Sequence, residues 1–475
     1  MENIRGKQFA LIYIFTMMAL SVGGALIGSL MLLMASFTML VALPVVCKSF
    51  ERAVAFMFMM YFFMDQISFQ ILGGTFRIYF IFSIIIILML SNYWENILES
   101  PIMCSLVLWV IVGILFCIIS SSPIAALISF ISTILQMLSG FAVYLLLASG
   151  VLNLAKIDRL FIIILSVMFG FGIVQLIIYR VTSIGVGLNP TIVAGQLAIG
   201  QIPSFRYEGN ALGKLLGWGV IFCIPPLVSL EGTQKKKYKY LLMFLLVFLV
   251  ISVTRTVLYA LAFTIGFAIC WYIYRKRGRS FLKIILFLIL MTAVAILAIR
   301  FNIIRLGEYS VYKLQHMFLG VEEALQDGSA GYRLQSMKQG FDIWFSSLKN
   351  IFTGVGYARA TADLSYIGGS SEAEVGGCDL VSIGVSLGVI GLVVYLRILL
   401  KAFVTGIKAT LKMTSGSIQQ IWSERILLAV VFYFALQSLS GSLLSPEFWM
   451  TFGIIGYVAQ DLSLSGSVET TIRLE

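Results

Sequence analysis

Long apolar stretches recur along the whole chain, and they constrain its fold more than any motif does. A helix needs about 20 mainly apolar residues to cross the hydrocarbon core of a membrane, and stretches of that kind follow one another from residue 9 to residue 463. They lack the period-2 alternation of membrane-spanning strands, which excludes a closed β-barrel. With 60% hydrophobic and 12% charged residues among 475, a soluble fold would lack polar surface. The sequence therefore predicts an all-α, polytopic integral membrane protein.

The apolar stretches predict about fourteen transmembrane helices, within a range of about 12 to 14, that form a single transmembrane domain over residues 1–475. The opening hairpin turns at Gly23 and Gly24, and the short third span carries Asp65 and Gln66. The predicted spans are 9–27, 29–46, 53–71, 77–92, 102–120, 125–148, 159–179, 211–230, 238–254, 256–274, 280–299, 378–400, 426–444 and 448–463.

Clusters of lysine and arginine predict the orientation of the chain, because positively charged loops resist translocation. If the N-terminus is cytoplasmic, every cluster falls on the cytoplasmic side. These loops and their attraction to anionic lipid explain the net charge of +11, so nucleic-acid binding is not needed to account for it. The clusters are Lys48 with Arg52, Lys156 with Arg159, Lys235 to Lys239, Arg275 to Arg279, and Lys401 with Lys408 and Lys412.

Two long segments lie on the outer side in this orientation, residues 182–210 and residues 300–377. Connections of this length in compact proteins are usually functional or disordered, and the second is not of low complexity. It contains a helical pattern near residues 332–348, in which Phe341, Trp344 and Phe345 give an apolar face. We therefore predict that residues 300–377 fold as a lid.

Arginine is the main cation of this outer side, against the usual distribution of charge in membrane proteins. Its planar guanidinium matches two phosphate oxygens and stays ionised. A lipid diphosphate would supply the opposite charge, whereas pairing with glutamates such as Glu208 and Glu308, or with lipid headgroups, is the structural alternative. The outer cations are Arg77, Arg180, Arg206, Arg255, Arg300, Arg305, Arg333 and Arg359, with Lys214, Lys313, Lys338 and Lys349.

Three of these arginines have surroundings that mark them as functional candidates. Arg255 lies between two apolar spans with no hydrophilic loop around it, and a charge held at the bilayer boundary is costly unless it is paired. Arg206 precedes a predicted helix on which Asn210 and Lys214 follow at spacings of four, and therefore on the same face. Arg333 lies at the start of the predicted lid helix.

These residues, in this order, resemble the bacterial O-antigen polymerase and ligase superfamily over roughly residues 200 to 400. The resemblance depends on the order of the motifs, since each is loose alone. They are Arg206 followed by Gly209-Asn210, Ser252-Val253-Thr254-Arg255, Arg333 before an aromatic helix, Gly354-Val355-Gly356, Gly388-Val389-Ile390-Gly391 and Pro446-Glu447-Phe448-Trp449.

One departure separates the two chemistries of this superfamily. Its ligases, and many of its polymerases, carry a His-Asn pair about ten residues before the Gly-x-x-Gly motif. This chain has Gly377-Cys378-Asp379 there, which resembles the polymerases that carry Asp at this position. The resemblance therefore favours an O-antigen polymerase, with an O-antigen ligase as the alternative.

The resemblance implies a GT-C-like glycosyltransferase architecture in the bacterial cytoplasmic (inner) membrane, with its active site facing the periplasm. Donor and acceptor would be oligosaccharides linked to undecaprenyl diphosphate, and a chain-length regulator is a further expected partner. Arg255, Arg206 and Arg333 would stabilise the diphosphate leaving group. Asn210, Lys214, Arg77, Arg180 and Arg305 are further candidate substrate-binding residues.

Asp379 is the first candidate for the base that takes the proton of the acceptor hydroxyl. Glu374 and His316 are its rivals, and a structural carboxylate paired with arginine is the competing interpretation of Asp379. No cofactor and no metal are expected. Glu372 and Glu374 could ligate Mg²⁺, but acids two residues apart in a stretch rich in glycine and serine are usually only solvated.

A polysaccharide transporter or flippase is the competing class. Such proteins tend to place ionisable residues near the bilayer midplane on broken helices and often contain inverted repeats. Most spans of this chain lack a central charge, and no repeat is visible. A purely structural membrane protein would leave the outer arginines unexplained.

The charge asymmetry predicts that both termini and the loops at Lys235 and Arg275 are cytoplasmic and that residues 300–377 are outside. A single cysteine placed at Ser329 is expected to react with a membrane-impermeant maleimide added to intact spheroplasts. Reaction only from the cytoplasmic side would contradict this topology.

Overall fold

The computed structural model describes residues 49–63, 68–71, 74–77, 79–120, 122–182, 190–193, 196–199, 209–252, 254–300, 328–356, 378–413, 416–441, 443 and 445–472. These residues form an almost entirely helical protein. Among them, eight helices are long and apolar enough to cross a membrane, or nine if a helix pair bent by 72° at residue 90 is one span. The chain is thus a multi-pass membrane protein. The predicted spans 9–27 and 29–46 lie outside the described residues.

The first half of the described chain contains helices and two β-hairpins. In order, they are α1 (Phe50–Phe63), β1 (Ser68–Ile71), β2 (Gly74–Arg77), α2 (Phe80–Met89), a 3₁₀ turn (Ser91–Tyr93), α3 (Glu95–Glu99), α4 (Pro101–Ile118), α5 (Pro123–Ala148), α6 (Leu154–Thr182), β3 (Pro190–Val193) and β4 (Gln196–Ile199). The second half contains α7 (Gly209–Ser229), α8 (Gly232–Ser252), α9 (Arg255–Tyr274), α10 (Gly278–Arg300), α11 (Gly328–Trp344), α12 (Leu348–Thr353), α13 (Asp379–Lys412), α14 (Ile418–Leu439) and α15 (Pro446–Ile472).

Local sequence explains several helix boundaries. Pro101 and Pro123 open α4 and α5, where a missing N–H costs nothing and the fixed φ favours the helix. Ser417 caps α14 by accepting a 3.2 Å hydrogen bond from the backbone N–H of Gln420. Gly232, with φ of +64°, makes the turn between α7 and α8.

The predicted span 53–71 is wrong at its C-terminal end. Helix α1 ends at Phe63, and β1 pairs antiparallel with β2, with Ser68 opposite Arg77 and Ile71 opposite Gly74. Polar and apolar residues alternate over these strands, a period-2 pattern that a window of average hydropathy misses. The hairpin of β3 and β4 lies in the segment predicted as the first outer loop, and it is a second departure from an all-α chain.

Buried charges on α14 are paired with those of neighbouring helices. Arg425 Nη1 lies 2.5 Å from Asp158 Oδ1 of α6, its Nε donates to the carbonyl of Phe222 at 2.8 Å, and its guanidinium lies 3.7 Å from the centre of the Phe222 ring. Tyr238 of α8 donates to Asp158 Oδ2 at 2.5 Å. Removing one partner would leave an uncompensated buried charge, so this network fixes α14 against α6, α7 and α8.

Glu424 gives α14 a second fixed contact. Its carboxylate accepts hydrogen bonds from Gln420 at 2.7 Å and from Tyr272 of α9 at 3.1 Å, and Arg277 lies 3.6 Å away. Arg277 also donates to Ser229, the last residue of α7, at 2.9 Å. This second network therefore lies near the end of the bundle where α7 ends and α9 meets α10.

Helix α13 is broken at Gly388, where φ is +64° and ψ is −172°. In a continuous helix the carbonyls of Val385 and Ser386 would bond to residues four positions later. Here they accept hydrogen bonds from Val355 N at 2.9 Å and Gly356 N at 3.0 Å. The turn after α12 thus replaces the helical hydrogen bonds that the break removes, and we call this contact the lid junction.

Glycine is required on both sides of the lid junction. Gly354 has φ of +73° and ψ of −173°, a conformation almost restricted to glycine, like that of Gly388. A Cβ at Gly354 would collide with the backbone of Ser386, and one at Gly388 would collide with the backbone of Phe352. The two glycine motifs of the sequence therefore contact each other.

Residues 328–356 are the described part of the predicted lid; they lie at one end of the bundle, and the name lid refers to them from here on. Trp344 of α11 is buried, packs on Gly384 of α13 and donates to the carbonyl of Ile351 at 3.2 Å. Lys349 Nζ donates to the carbonyl of Ile119, just after α4, at 3.4 Å. We call this end of the bundle the lid end. The helical stretch predicted near residues 332–348 is confirmed up to Trp344, where α11 ends, and of its three predicted aromatic residues only Trp344 is buried.

Replacing Gly388 by alanine is expected to loosen the lid. The conformation itself costs a non-glycine residue about 1 to 3 kcal/mol, and the added methyl displaces the backbone of Phe352. Heating of the detergent-solubilised variant, followed by size-exclusion chromatography, should show a lower midpoint of unfolding and faster proteolysis within residues 328–356.

Gly266→Ala is the matched control, since a Cβ at Gly266 of α9 meets nothing within 4 Å. Its midpoint should stay the same or rise slightly, because alanine favours helices. Equal behaviour of the two variants would show that the lid junction contributes nothing to stability.

Candidate functional site

The structure describes some of the predicted site residues in full. Arg77, Lys214, Arg255, Arg333 and Asp379 have described side chains. Arg180 and Asn210 lie in α6 and α7, where only their helical backbone is described. The other predicted residues, Arg206, Arg305, His316 and Glu374, lie outside the described residues.

Arg255 is the first residue of α9, directly after the break that separates it from α8. Ser252 ends α8 and donates to the carbonyl of Leu249 at 2.9 Å, and the carbonyl of Thr254 accepts from Val257 N at 3.1 Å. The predicted absence of a hydrophilic loop is therefore confirmed. A cation at a helix N-terminus adds to the positive end of the helix dipole instead of compensating it, so this position favours an anion.

Helices α7 and α9 meet through glycines, and this contact brings Lys214 near Arg255. A Cβ at Gly213 would collide with Thr254, and one at Gly217 would collide with Val257. Lys214 follows Gly213 directly, as Arg255 follows Thr254, and both cations are partly exposed. Asn210 lies one helical turn before Gly213. The sequence analysis grouped Lys214 with Arg206 and Asn210, and its position near Arg255 is added by the backbone packing.

Asp379 and Arg333 meet at the turn that follows α14. The backbone N–H of Asp379 donates to the carbonyl of Ser440 at 2.9 Å, and its Oδ2 accepts from Leu443 N at 3.0 Å. Arg333 Nη1 lies 3.5 Å from the carbonyl of Leu439. The side chain of Asp379 is buried. The carboxylate therefore holds the turn between α14 and α15, whatever further role it has.

Arg77 belongs to a separate, buried polar group between the first hairpin and α5. Its Nη1 lies 3.5 Å from the hydroxyl of Tyr79, which donates to Gln136 at 2.8 Å. The ring of Tyr79 contacts that of Tyr61, whose hydroxyl is bonded to Ser83. These contacts give Arg77 a structural explanation.

Sequence reasoning did not assign a role to the buried polar residues of α5, α14 and α15. Glu447 is fully buried in the first turn of α15, where a carboxylate is stabilised by the helix dipole. Gln136 lies on α5, and Gln437 accepts from Tyr395 at 2.8 Å. A glutamine inside an apolar span was the available signal, because polar residues in lipid-spanning helices need a partner.

Helix α14 connects the two groups of site residues. It packs against both α7 and α9, with Phe432 against Gly217, and its last turn receives Arg333 and Asp379. The lid end therefore contains two groups of charged residues. One is Lys214 of α7 with Arg255 of α9, and the other is Arg333 of α11 with Asp379 of α13. This combination suits a reaction in which an anion leaves and a proton is removed.

A protein-family comparison covers most of these elements. Residues 240–396 match a family model described as O-Antigen ligase, a range that includes the Arg255 break, the lid and both sides of the lid junction. No curated protein matches the chain closely enough to count as a relative. The family match places residues 240–396, which contain Arg255, Arg333 and the two glycine motifs, in the O-antigen polymerase and ligase superfamily.

Proposed function

We propose that this chain is a polysaccharide polymerase of the bacterial cytoplasmic membrane that acts at the periplasmic face. It transfers a growing glycan from an undecaprenyl diphosphate carrier to the terminal hydroxyl of a second lipid-linked repeat unit. The observation that carries the proposal is the position of Arg255 at the N-terminus of α9, beside Lys214 of α7. Such a concentration of positive charge at a membrane boundary favours a diphosphate.

The leaving group is the part of the reaction that the cations would assist. The acceptor oxygen attacks the anomeric carbon, and the bond from that carbon to the diphosphate oxygen breaks with its electron pair. Negative charge then grows on the diphosphate while the sugar becomes oxocarbenium-like. Fixed cationic side chains lower the barrier because they require no reorganisation as that charge develops. Arg255 and Lys214 take this role, and Arg206 and Arg333 are further candidates.

Asp379 is our candidate for the base that takes the proton of the acceptor hydroxyl. It is the first residue of α13, and the lid covers the same helix through Trp344 and Gly384. Its Oδ2 accepts a hydrogen bond from Leu443, so a purely positioning role is the competing explanation. His316 and Glu374 remain alternative bases. The reaction needs no metal in this proposal.

A polymerase and a ligase differ in the acceptor that they use, and the family description names ligases. We favour the polymerase because Gly377-Cys378-Asp379 replaces the His-Asn pair that the ligases of the superfamily carry. A protein that regulates chain length is the partner expected for a polymerase. A flippase remains a further alternative, since α13 is a broken helix.

Cells that lack the protein would separate these functions. Loss of polymer while single repeat units still reach the periplasm is the result expected for a polymerase. Normal polymer on its lipid carrier that fails to reach its final acceptor would indicate a ligase. Repeat units that stay on the cytoplasmic face would indicate a flippase.

Replacing Arg255 by alanine is expected to slow transfer about 10²- to 10³-fold, the usual effect of removing one donor to a developing anion. Lysine should not restore the rate, because a point charge cannot make the bidentate contact. The measurement is the rate of chain elongation by purified protein supplied with lipid-linked repeat units. Arg279→Lys, at the opposite end of α10 from the lid end, is the control and should retain full activity. Full activity of Arg255→Ala would remove Arg255 from the site.

Asp379→Asn tests the base. An asparagine oxygen can still accept the hydrogen bond from Leu443, so the turn stays held while the basicity is lost. The catalysed step should therefore slow about 10²- to 10⁴-fold with donor binding preserved. Asp342→Asn, on the exposed side of the lid helix, should retain the normal rate.

The same assay also distinguishes the competing roles of these residues. If Asp379→Asn keeps most of its rate and Asp379→Ala loses it together with thermal stability, Asp379 is a positioning residue. If His316→Ala, which should be nearly silent, loses activity instead, His316 is the base. If both keep their activity, Glu374 is the next residue to replace.

A further inference from the structure

The lid carries exposed apolar side chains on α11 and directly after it. Leu334 and Phe341 are seven residues apart on α11 and so lie along one edge of the helix. Phe345 is the first residue after the helix. Their exposed fractions are 42%, 39% and 58%. The rings of Phe341 and Phe345 lie 6.1 Å apart and nearly parallel. Both rings also stack on Trp344, whose buried side chain packs against α13.

Helix α12 carries two further exposed apolar side chains. Leu348 is 76% exposed and Phe352 is 53% exposed, and their spacing of four places them on one face. We call the five residues the lid stripe: Leu334, Phe341, Phe345, Leu348 and Phe352. An apolar surface of this extent beside charged residues indicates an interaction site, whereas isolated apolar residues on a surface do not.

The rest of the exposed side of α11 is polar. Gln335, Asp342 and Ser346 are exposed and follow at spacings of seven and four. They therefore lie along a second edge, next to the lid stripe. The exposed part of one helix is thus divided lengthwise between apolar and polar side chains. A helix that lies at a boundary between lipid and water has this division.

Contacts of α12 place the lid stripe at the level where the spans end. Lys349 bonds to the carbonyl of Ile119, one residue beyond α4. Ile118, Ile119 and Ile124, at the ends of α4 and α5, are 51%, 50% and 76% exposed. Such residues at the end of a span face lipid, and the hydrogen bond of Lys349 places its neighbour Leu348, a residue of the lid stripe, near the same level.

We propose that the lid stripe is embedded in the interfacial layer of the membrane leaflet at the lid end. The lid is then bound to lipid through the stripe and to the protein through the lid junction. Exposed Lys338 and Lys349 flank the stripe, where their alkyl chains lie along apolar surface and their ammonium groups reach anionic headgroups. Gln335 and Asp342 face water.

The contact of the lid stripe with lipid does not depend on which reaction the protein performs. We assign lipid to the stripe because Lys349 links it to the lipid-facing end of α4 and because basic residues lie at its border. Another segment of this chain, or a second protein, would cover the stripe instead and would exclude lipid from it.

Photolabelling of the unaltered protein tests the proposal. The protein is reconstituted in vesicles of phosphatidylethanolamine and phosphatidylglycerol that contain a lipid-soluble diazirine, irradiated, and analysed residue by residue by mass spectrometry. Phe345, Leu348 and Phe352 should be labelled several-fold more than Gln335 and Asp342. Absence of label on the stripe, with normal labelling of Ile118 and Ile124, would overturn the proposal.

Collision measurements on nitroxide labels show what replaces lipid if the proposal fails. Labels are placed at Phe345→Cys and, as the matched control one turn away, at Asp342→Cys, in protein whose native cysteines are serine. A label at position 345 should collide with oxygen more often than with a water-soluble nickel chelate. A label at position 342 should collide more often with the nickel chelate. Access of the nickel chelate to both would indicate that the stripe lies in water. Access of neither reagent to position 345 would indicate that protein covers it.

Discussion

The hydrogen bonds of Val355 and Gly356 to the carbonyls of Val385 and Ser386 determine how the lid end is built. A carbonyl without a partner inside a membrane protein costs several kcal/mol, so α13 can be broken at Gly388 only because another segment supplies donors. The lid supplies them, and it can approach closely enough only because Gly354 and Gly388 have no side chains. The break in α13 and the position of the lid are therefore one structural feature.

Arginine is used in two different ways at the two ends of α14. Arg425 is buried, paired with Asp158 at 2.5 Å and stacked on Phe222, so its charge is neutralised within the protein. Arg255 is partly exposed and begins a helix whose dipole adds to its charge. The first arrangement fixes the helices against one another. The second position, at a helix N-terminus, favours an anion, which makes Arg255 a candidate functional residue.

The elements that could be predicted from the sequence are those marked by the distribution of apolar and charged residues along the chain. The break before Arg255 and the lid helix around Trp344 were found because an abrupt change of pattern marks each of them. The hairpin of β1 and β2 was missed because its four-residue strands lie within an apolar stretch. The lid junction could not be predicted, because residues 354 and 388 are distant in sequence and G-x-G alone is weak evidence. The hydrogen bond from Leu443 to the buried carboxylate of Asp379 could not be predicted either. An acidic residue at the start of a helix has the same sequence pattern whether it is catalytic or structural.

The positions of the charges also bear on the choice between transfer and transport. A flippase has to carry a diphosphate through the hydrocarbon layer and needs polar groups that can follow it. Among the described residues buried within the spans, Asp158 is paired with Arg425, and Glu424 contacts Gln420, Tyr272 and Arg277. The cations Arg255 and Lys214 instead lie at helix ends, where the diphosphate of a lipid carrier already resides. A reaction at that level requires no charge to enter the hydrocarbon layer, which favours catalysis at the membrane surface.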